Sequence, residues 1–241
     1  GDLAEVGIAL NQFPIHPAGP GDADRDAARR MDGHLNRWFL DPVLRGSYPQ
    51  DILSLYEGRV GPIDAIRDGD LEVIAKPIDF LGVNYYFVAR VRADPDAGPL
   101  GVAQVPGEGA LTAMGWEVEP EGLYELLVRL RDDYGPIPIA ITENGAAYDD
   151  PPPANGVVPD PERVAYLQGH IDAVARAIED GVDVRRYLAW SLLDNFEWNS
   201  GYSKRFGIVA VDYETQQRTL KSSGAWFRDL IARTQDVRLR G

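Results

Sequence analysis

The 241-residue sequence contains no cysteine, which excludes disulfide cross-links and thiolate catalysis. Histidine is scarce, and His16, His34 and His170 lie too far apart in the chain to predict a metal cluster. No metal and no cofactor are expected. No apolar run approaches the roughly 18 residues needed to span a bilayer, and no basic stretch followed by an apolar one opens the chain, which begins with Gly1 and not Met. A soluble protein in a cytoplasmic setting is the expectation. Positive charge is in deficit, with 24 Lys and Arg against 38 Asp and Glu for a net charge of −14. Such a chain repels nucleic-acid backbones and anionic membranes, so neither is expected as a partner. Several motifs are missing too. There is no Walker A, G-x-S-x-G or H-E-x-x-H pattern, and Gly107 to Gly115 (GEGALTAMG) lacks the third glycine of a dinucleotide fingerprint.

What is present is an ordinary globular composition, 44% hydrophobic and 10% aromatic. Four segments are apolar without clean alternation, as strands buried on both faces should be: Glu5 to Asn11, Ile78 to Val88, Ile137 to Gly145 and Tyr187 to Asn195. Helical periodicity falls between them, over Asp22 to Leu40 and Glu119 to Gly135. A third helix has Asp160 as predicted N-cap, Pro161 at its first position and Gly181 as its stop. A last helix from Ser222 follows an alternating stretch, Gly207 to Lys221, that predicts a two-stranded ribbon. Strands alternating with helices imply right-handed βαβ units and a parallel sheet. Arg90 to Pro106 and Tyr148 to Asp160 read as long loops, and no domain boundary or repeat interrupts residues 1–241.

Polar residues gather at the C-terminal ends of the predicted strands: Asn11; Asn84 with Tyr85 and Tyr86; Glu143 with Asn144; Asp194 with Asn195 and Glu197. In a parallel α/β sheet or barrel, ligands bind at that end. Helix capping and loop satisfaction account for one or two of these groups but not for four in succession. Two facing carboxylates, Glu143 and Glu197, are the minimal machinery of glycoside hydrolysis. Trp190, Trp198, Phe206, Tyr86 and Trp116 fall on the same rim, where flat rings match the apolar faces of sugars and an indole N–H reaches a hydroxyl.

The segments ITENG, DFLGVNYY, LNRWFLDPVLRGSYP, MGWEVEPEGLYELL and the long WSLLDNFEWNSGYSKRFGIVAVDYETQQRTLKSSGAWF together resemble the C-terminal half of a family 1 glycoside hydrolase, the retaining β-glucosidases. The resemblance implies a (β/α)8 TIM barrel of which this chain supplies strands 5 to 8. It implies Glu143 as nucleophile, Tyr86 as its hydrogen-bond partner and Asn84 beside them. Trp190 would form the floor of the sugar site, with Glu197 and Trp198 binding hydroxyls, Trp116 on the aglycone side and Phe206 walling the pocket. Glu197 thus becomes a substrate anchor and not the second catalytic carboxylate. The family's acid/base lies in a T-F/L-N-E-P segment, a pattern this chain lacks. The expected partners are therefore a β-glucoside and an N-terminal half-barrel polypeptide carrying the acid/base Glu, with self-association as the other way to close the barrel. A non-catalytic sugar-binding protein, or a self-paired half-barrel, is the reading from another functional class.

Overall fold

Leu81, Val83 and Tyr85 alternate along one strand, Ile139 and Ile141 along another, and all five are buried in one apolar cluster. Alternation puts them on one face of a sheet, and that face is covered by helices. The structure, a computed structural model, describes residues 4–238. In chain order the first part comprises β1 (Gly7–Asn11), β2 (Ile15–Pro17), α1 (Asp22–Asp32), a π-helical turn (Gly33–Arg37), α2 (Trp38–Arg45), α3 (Gln50–Val60) and α4 (Asp70–Ile74). The middle comprises β3 (Phe80–Asn84), β4 (Ala89–Ala93), β5 (Val102–Val105), α5 (Pro120–Tyr134), β6 (Ile139–Asn144) and α6 (Pro161–Glu179). The last part is β7 (Val184–Ala189), a 3-10 turn (Trp198–Ser200), β8 (Val209–Val211), β9 (Arg218–Leu220) and α7 (Ser222–Arg238).

The main sheet has the order β1-β3-β6-β7, and every pairing in it is parallel. Leu123, Leu126, Leu127 and Leu130 of α5, with Val174 and Ala177 of α6, pack on its helix side. Sequential βα units joined by crossovers give this arrangement, as the strand and helix alternation predicts. The ribbon is also where it was expected, with β8 antiparallel to β9.

Several expectations are corrected. The predicted fourth strand, Tyr187 to Asn195, is shifted toward the N-terminus: β7 ends at Ala189, and the chain beyond it pairs with the ribbon through Ile208 N to Ser191 O at 2.8 Å and Val209 N to Leu192 O at 3.0 Å. Arg90 to Pro106 is not a loop. Its two ends form β4 and β5, which pair with each other, while β4 also pairs with β2 in a second, three-stranded sheet. The helix predicted over Asp22 to Leu40 is broken by the π-helical turn, which lets the buried Asn36 reach back to Phe13. Asp160 does precede α6, but its side chain does not cap the helix. It accepts from Ser223 N at 2.8 Å and Ser223 Oγ at 2.5 Å, tying α6 to α7. Among the described residues, no helix is long and apolar enough to cross a membrane.

Candidate active site

Strict alternation from Ile139 and Ile141, which face the helices, would send Glu143 to the helix side as well. The register prevents this. Val83 pairs with Ile141 but the next residue, Asn84, pairs with Glu143, and on the other side Ile141 pairs with Tyr187 while Asn144 pairs with Ala189. One extra residue is thereby accommodated at the end of β6, a bulge that re-aims the side chains after it. Asn144 takes the helix side, where its Nδ2 donates to Tyr85 O at 2.9 Å and lies 3.0 Å from the hydroxyl of Tyr166 on α6. Its Oδ1 accepts from Tyr187 Oη at 2.5 Å. Glu143 takes the open side.

There Tyr86 Oη donates to Glu143 Oε2 at 2.5 Å, and Thr142 Oγ1 donates to Asn84 Oδ1 at 2.6 Å. The Tyr86 hydroxyl is held well above its ordinary pKa, first by burial, then by its hydrogen bond to Glu143 and by the charges of Glu143 and Glu197. It stays a donor at any working pH. Glu197 is 9% exposed; Asn195 Nδ2 donates to its Oε2 at 3.1 Å, and its backbone N–H donates to Gly201 O at 2.7 Å. Both bonds fix its direction.

Asn84, Tyr86, Trp116, Glu143, Trp190, Glu197 and Trp198 line one cavity of about 470 Å³, so seven of the eight residues singled out from the sequence meet in one place. Trp198 is 84% exposed with φ at +42°, so burial does not explain its placement. Phe206 is the exception. It is fully buried, one layer behind the cavity, with its ring centroid 6.3 Å from that of Tyr86 and 6.1 Å from that of Trp116. It supports the wall without being part of it, because the chain from Arg205 to Ile208 pairs with Tyr148 and Ser191 and turns its side chain inward.

Three of the polar groups grouped at strand ends also belong elsewhere: Tyr85 is buried in the helix-side core with its hydroxyl on Glu119 O. Asp194 is buried in a charge cluster, accepting from Lys221 Nζ at 2.8 Å and from the backbone N–H of Gly207 at 2.9 Å. Asn144 faces the helices, as above. A larger concavity of about 750 Å³ lies between the 150–158 loop and the β8–β9 ribbon. Its buried carboxylates, Asp150 and Asp194, are paired with Lys221.

Phe13, Phe87, Met114, Asn199 and Ser200 line the 470 Å³ cavity and were not singled out from the sequence, nor was Asn11 given a role. The available signal was adjacency: Phe13 follows the polar end of β1, and Phe87 follows Tyr86.

A cavity with a fixed carboxylate, a phenol donating to it, a second oriented carboxylate and three indoles suits a neutral polyhydroxylated ligand. Comparison with known proteins agrees with that chemistry. A bifunctional beta-D-glucosidase/beta-D-fucosidase from Bifidobacterium breve is 47% identical over 225 residues, which cover 87% of this chain and 49% of that protein. Beta-glucosidase A from Acetivibrio thermocellus is 43% identical over 230 residues, covering 95% of this chain and 51% of that protein. The crystal structure of a psychrophilic beta-glucosidase from Micrococcus antarcticus matches with a TM-score of 0.90 at 51% identity, covering 95% of this chain and 53% of that one. The chain spans about half the length of the curated relatives it matches. Since the pattern of Glycosyl hydrolase family 1 is matched from residue 2 to residue 236, nearly end to end, the chain belongs to that family.

Proposed function

We propose that this chain is the nucleophile-bearing half of a retaining β-glucosidase, strands 5 to 8 of a (β/α)8 barrel in a single segment. The observation that carries this reading is the bond from Tyr86 to Glu143 at the floor of a cavity shared with Trp190 and Glu197. Glu143 attacks the anomeric carbon while the bond to the leaving oxygen breaks, giving a covalent glycosyl ester through an oxocarbenium-like transition state. Tyr86 keeps the carboxylate aimed until the new bond forms. Water then attacks the same carbon, giving its proton to the acid/base carboxylate of the complementary half, Glu143 departs as a carboxylate, and the sugar leaves with retained configuration. Asn84 and Glu197 bind hydroxyls beside the reacting centre. Trp190 supports the ring's apolar face, Trp198 donates its indole N–H, and Trp116 meets the aglycone.

The proton for the leaving oxygen comes from a complementary N-terminal half-barrel. Its absence from this chain is consistent with the half-length coverage of the relatives. The open edges of the sheet, β1 and β7, support the same idea, as do the exposed apolar side chains Val6, Leu188, Leu192 and Phe196 near them. Glu197, nearly buried and anionic, disfavours a 6-phosphoglycoside.

A 2-deoxy-2-fluoro-β-glucoside with a good leaving group tests the reading, because it needs no protonation and its glycosyl ester turns over slowly. Peptide mapping after incubation is expected to find the fluoroglucosyl mass on the peptide that contains Glu143, and not in Glu143→Gln. A label on another residue, or none in the protein assembled with its complementary half, would refute the assignment. Native mass spectrometry identifies whether that half is a different polypeptide or a second copy.

A further inference from the structure

We propose that a buried line of alternating charges, Arg163–Asp150–Lys221–Asp194, positions the sugar anchor Glu197 relative to the nucleophile Glu143; this rests on the β-glucosidase reading above. Irregular chain follows Glu143 at the end of β6, and irregular chain after β7 carries Glu197. The line joins the two segments. At one end, Arg163 Nε donates to the carbonyl of Ala146, three residues beyond Glu143, at 3.1 Å. Arg163 Nη1 pairs with Asp150 Oδ1 at 2.9 Å, Lys221 Nζ with Asp150 Oδ2 at 2.5 Å, and Lys221 Nζ with Asp194 Oδ1 at 2.8 Å. Asp194 stands three residues before Glu197.

The far end is clamped. Asp194 also accepts from the backbone N–H groups of Gly207 at 2.9 Å and Val211 at 3.3 Å, and its own N–H donates to Val209 O at 3.1 Å. The next residue, Asn195, holds Glu197: its Nδ2 donates to Glu197 Oε2 at 3.1 Å, while its carbonyl accepts from Tyr213 Oη at 3.2 Å. Arg163 Nη2 donates to Arg205 O at 2.7 Å, so both ends of the line grip the chain that leads into β8. None of the four side chains lines the 470 Å³ cavity, so their effect on a sugar passes through Glu143 and Glu197. With Asp160 on Arg163 and Arg205 on Asp194, three cations face three anions. Lys221 is 0% exposed and Arg163 1%. Ion pairs this deep are weak stabilisers, since desolvation offsets their attraction and apolar side chains of equal volume often serve stability as well. What a fully partnered network supplies is a single geometry, because each charge is satisfied in one place only.

The test severs the line at its middle. In Asp150→Ala, Arg163 keeps Asp160 and Lys221 keeps Asp194, so no charge of the line loses its last partner. Lys221→Met breaks the line at the next joint. Both variants are assayed in the protein assembled with its complementary half, on an aryl β-glucoside and on a panel of analogues each lacking one hydroxyl. The hydroxyls whose loss ceases to matter in Glu197→Gln are those that Glu197 holds. Asp150→Ala is expected to lower kcat/KM for the parent glucoside about tenfold. It should lose selectivity at those same hydroxyls, keep it at the others, and cost little more when added to Glu197→Gln. A uniform fall across the panel, an equal penalty with and without Glu197, or kinetics like the parent's in both variants would overturn the proposal. Labelling of Glu143 by the 2-deoxy-2-fluoro-β-glucoside in the unaltered protein separates the two levels. Label present with an unmoved panel sinks the positioning role alone, and label absent sinks the glucosidase reading with it.

Discussion

Tyr86 and Glu143 stand 57 residues apart in the chain, yet the phenol of one donates to the carboxylate of the other at 2.5 Å. The bond depends on two neighbouring strands ending at the same height, with the bulge in β6 turning Glu143 toward Tyr86. A hydrogen bond to a charged group contributes about 1.5–3 kcal/mol. Tyr86→Phe in the assembled enzyme is therefore expected to lower kcat for an aryl β-glucoside by roughly 10- to 100-fold, since the ring remains and only the donor is lost. Circular dichroism and melting temperature should change little. Unaltered steady-state kinetics would remove Tyr86 from the mechanism.

The parallel sheet was legible because Leu81, Val83, Ile139 and Ile141 are apolar in runs that few solvent-facing segments could tolerate. Glu143 at the end of such a run stood out for the same reason, a charge where burial is the rule. The β4–β5 hairpin was not legible, since Arg90 to Pro106 is rich in Gly, Pro and Asp, and only β4 is tied across the sequence, by its pairing with β2. The π-helical turn was also hidden. It goes with a distant contact, Asn36 with Phe13, that the local sequence does not display. Phe206 was misplaced on the rim because an aromatic residue reads alike whether it lines a cavity or backs the residues that do. The bulge in β6 left no trace in the residue types, and the register with β3 and β7 exposes it.

Gly145 is required by a close approach. A Cβ built there would lie 1.7 Å from the carbonyl oxygen of Trp190, a backbone atom that cannot swing aside. Gly145→Ala must therefore push β6 away from the chain that follows β7, and forced overpacking of this kind costs about 1–3 kcal/mol or more. The expected outcome is a lower urea midpoint together with weaker sugar binding, because Trp190 moves with its own carbonyl. A variant as stable as the parent would show that the two strand ends are not held this closely.

Asn144 uses three of its hydrogen-bonding sites on the far side of the bulge, touching Tyr85, Tyr166 and Tyr187 while fully buried. Tyr166 Oη also lies 3.2 Å from the carbonyl oxygen of Tyr86 and can donate to it, so the helix layer holds both partners of the Tyr86–Glu143 pair. Asn144→Leu keeps the volume but strands these polar groups, at about 1–3 kcal/mol for each buried group left unpaired. Its denaturant midpoint should fall well below that of Tyr187→Phe, which removes a single hydroxyl. Equal midpoints for the two variants would indicate that the amide is not the hub.

His170 supplies the pH dependence. Its ring stacks on Tyr166 with centroids 3.9 Å apart and lies 5.7 Å from Tyr85, and its Nδ1 is 2.7 Å from Tyr166 O. Its Nε2 is buried with no partner. Burial pushes the imidazole down to about 4, and the facing phenols of Tyr85 and Tyr166, themselves raised by burial, stay neutral and offer no compensating charge. The unfolded chain protonates this histidine near pH 6.5 while the folded chain does not, so between those values unfolding takes up a proton and stability falls as pH falls. Above about pH 7 the group contributes nothing to the slope. From pH 7 to pH 5 the expected loss is about 2 kcal/mol. His170→Phe keeps the stacked ring without the titration, so its unfolding free energy should be flatter over that interval by about the same amount. Urea denaturation of both proteins at a series of pH values measures the difference, and parallel curves would mean that the buried imidazole is not what sets the acid limb.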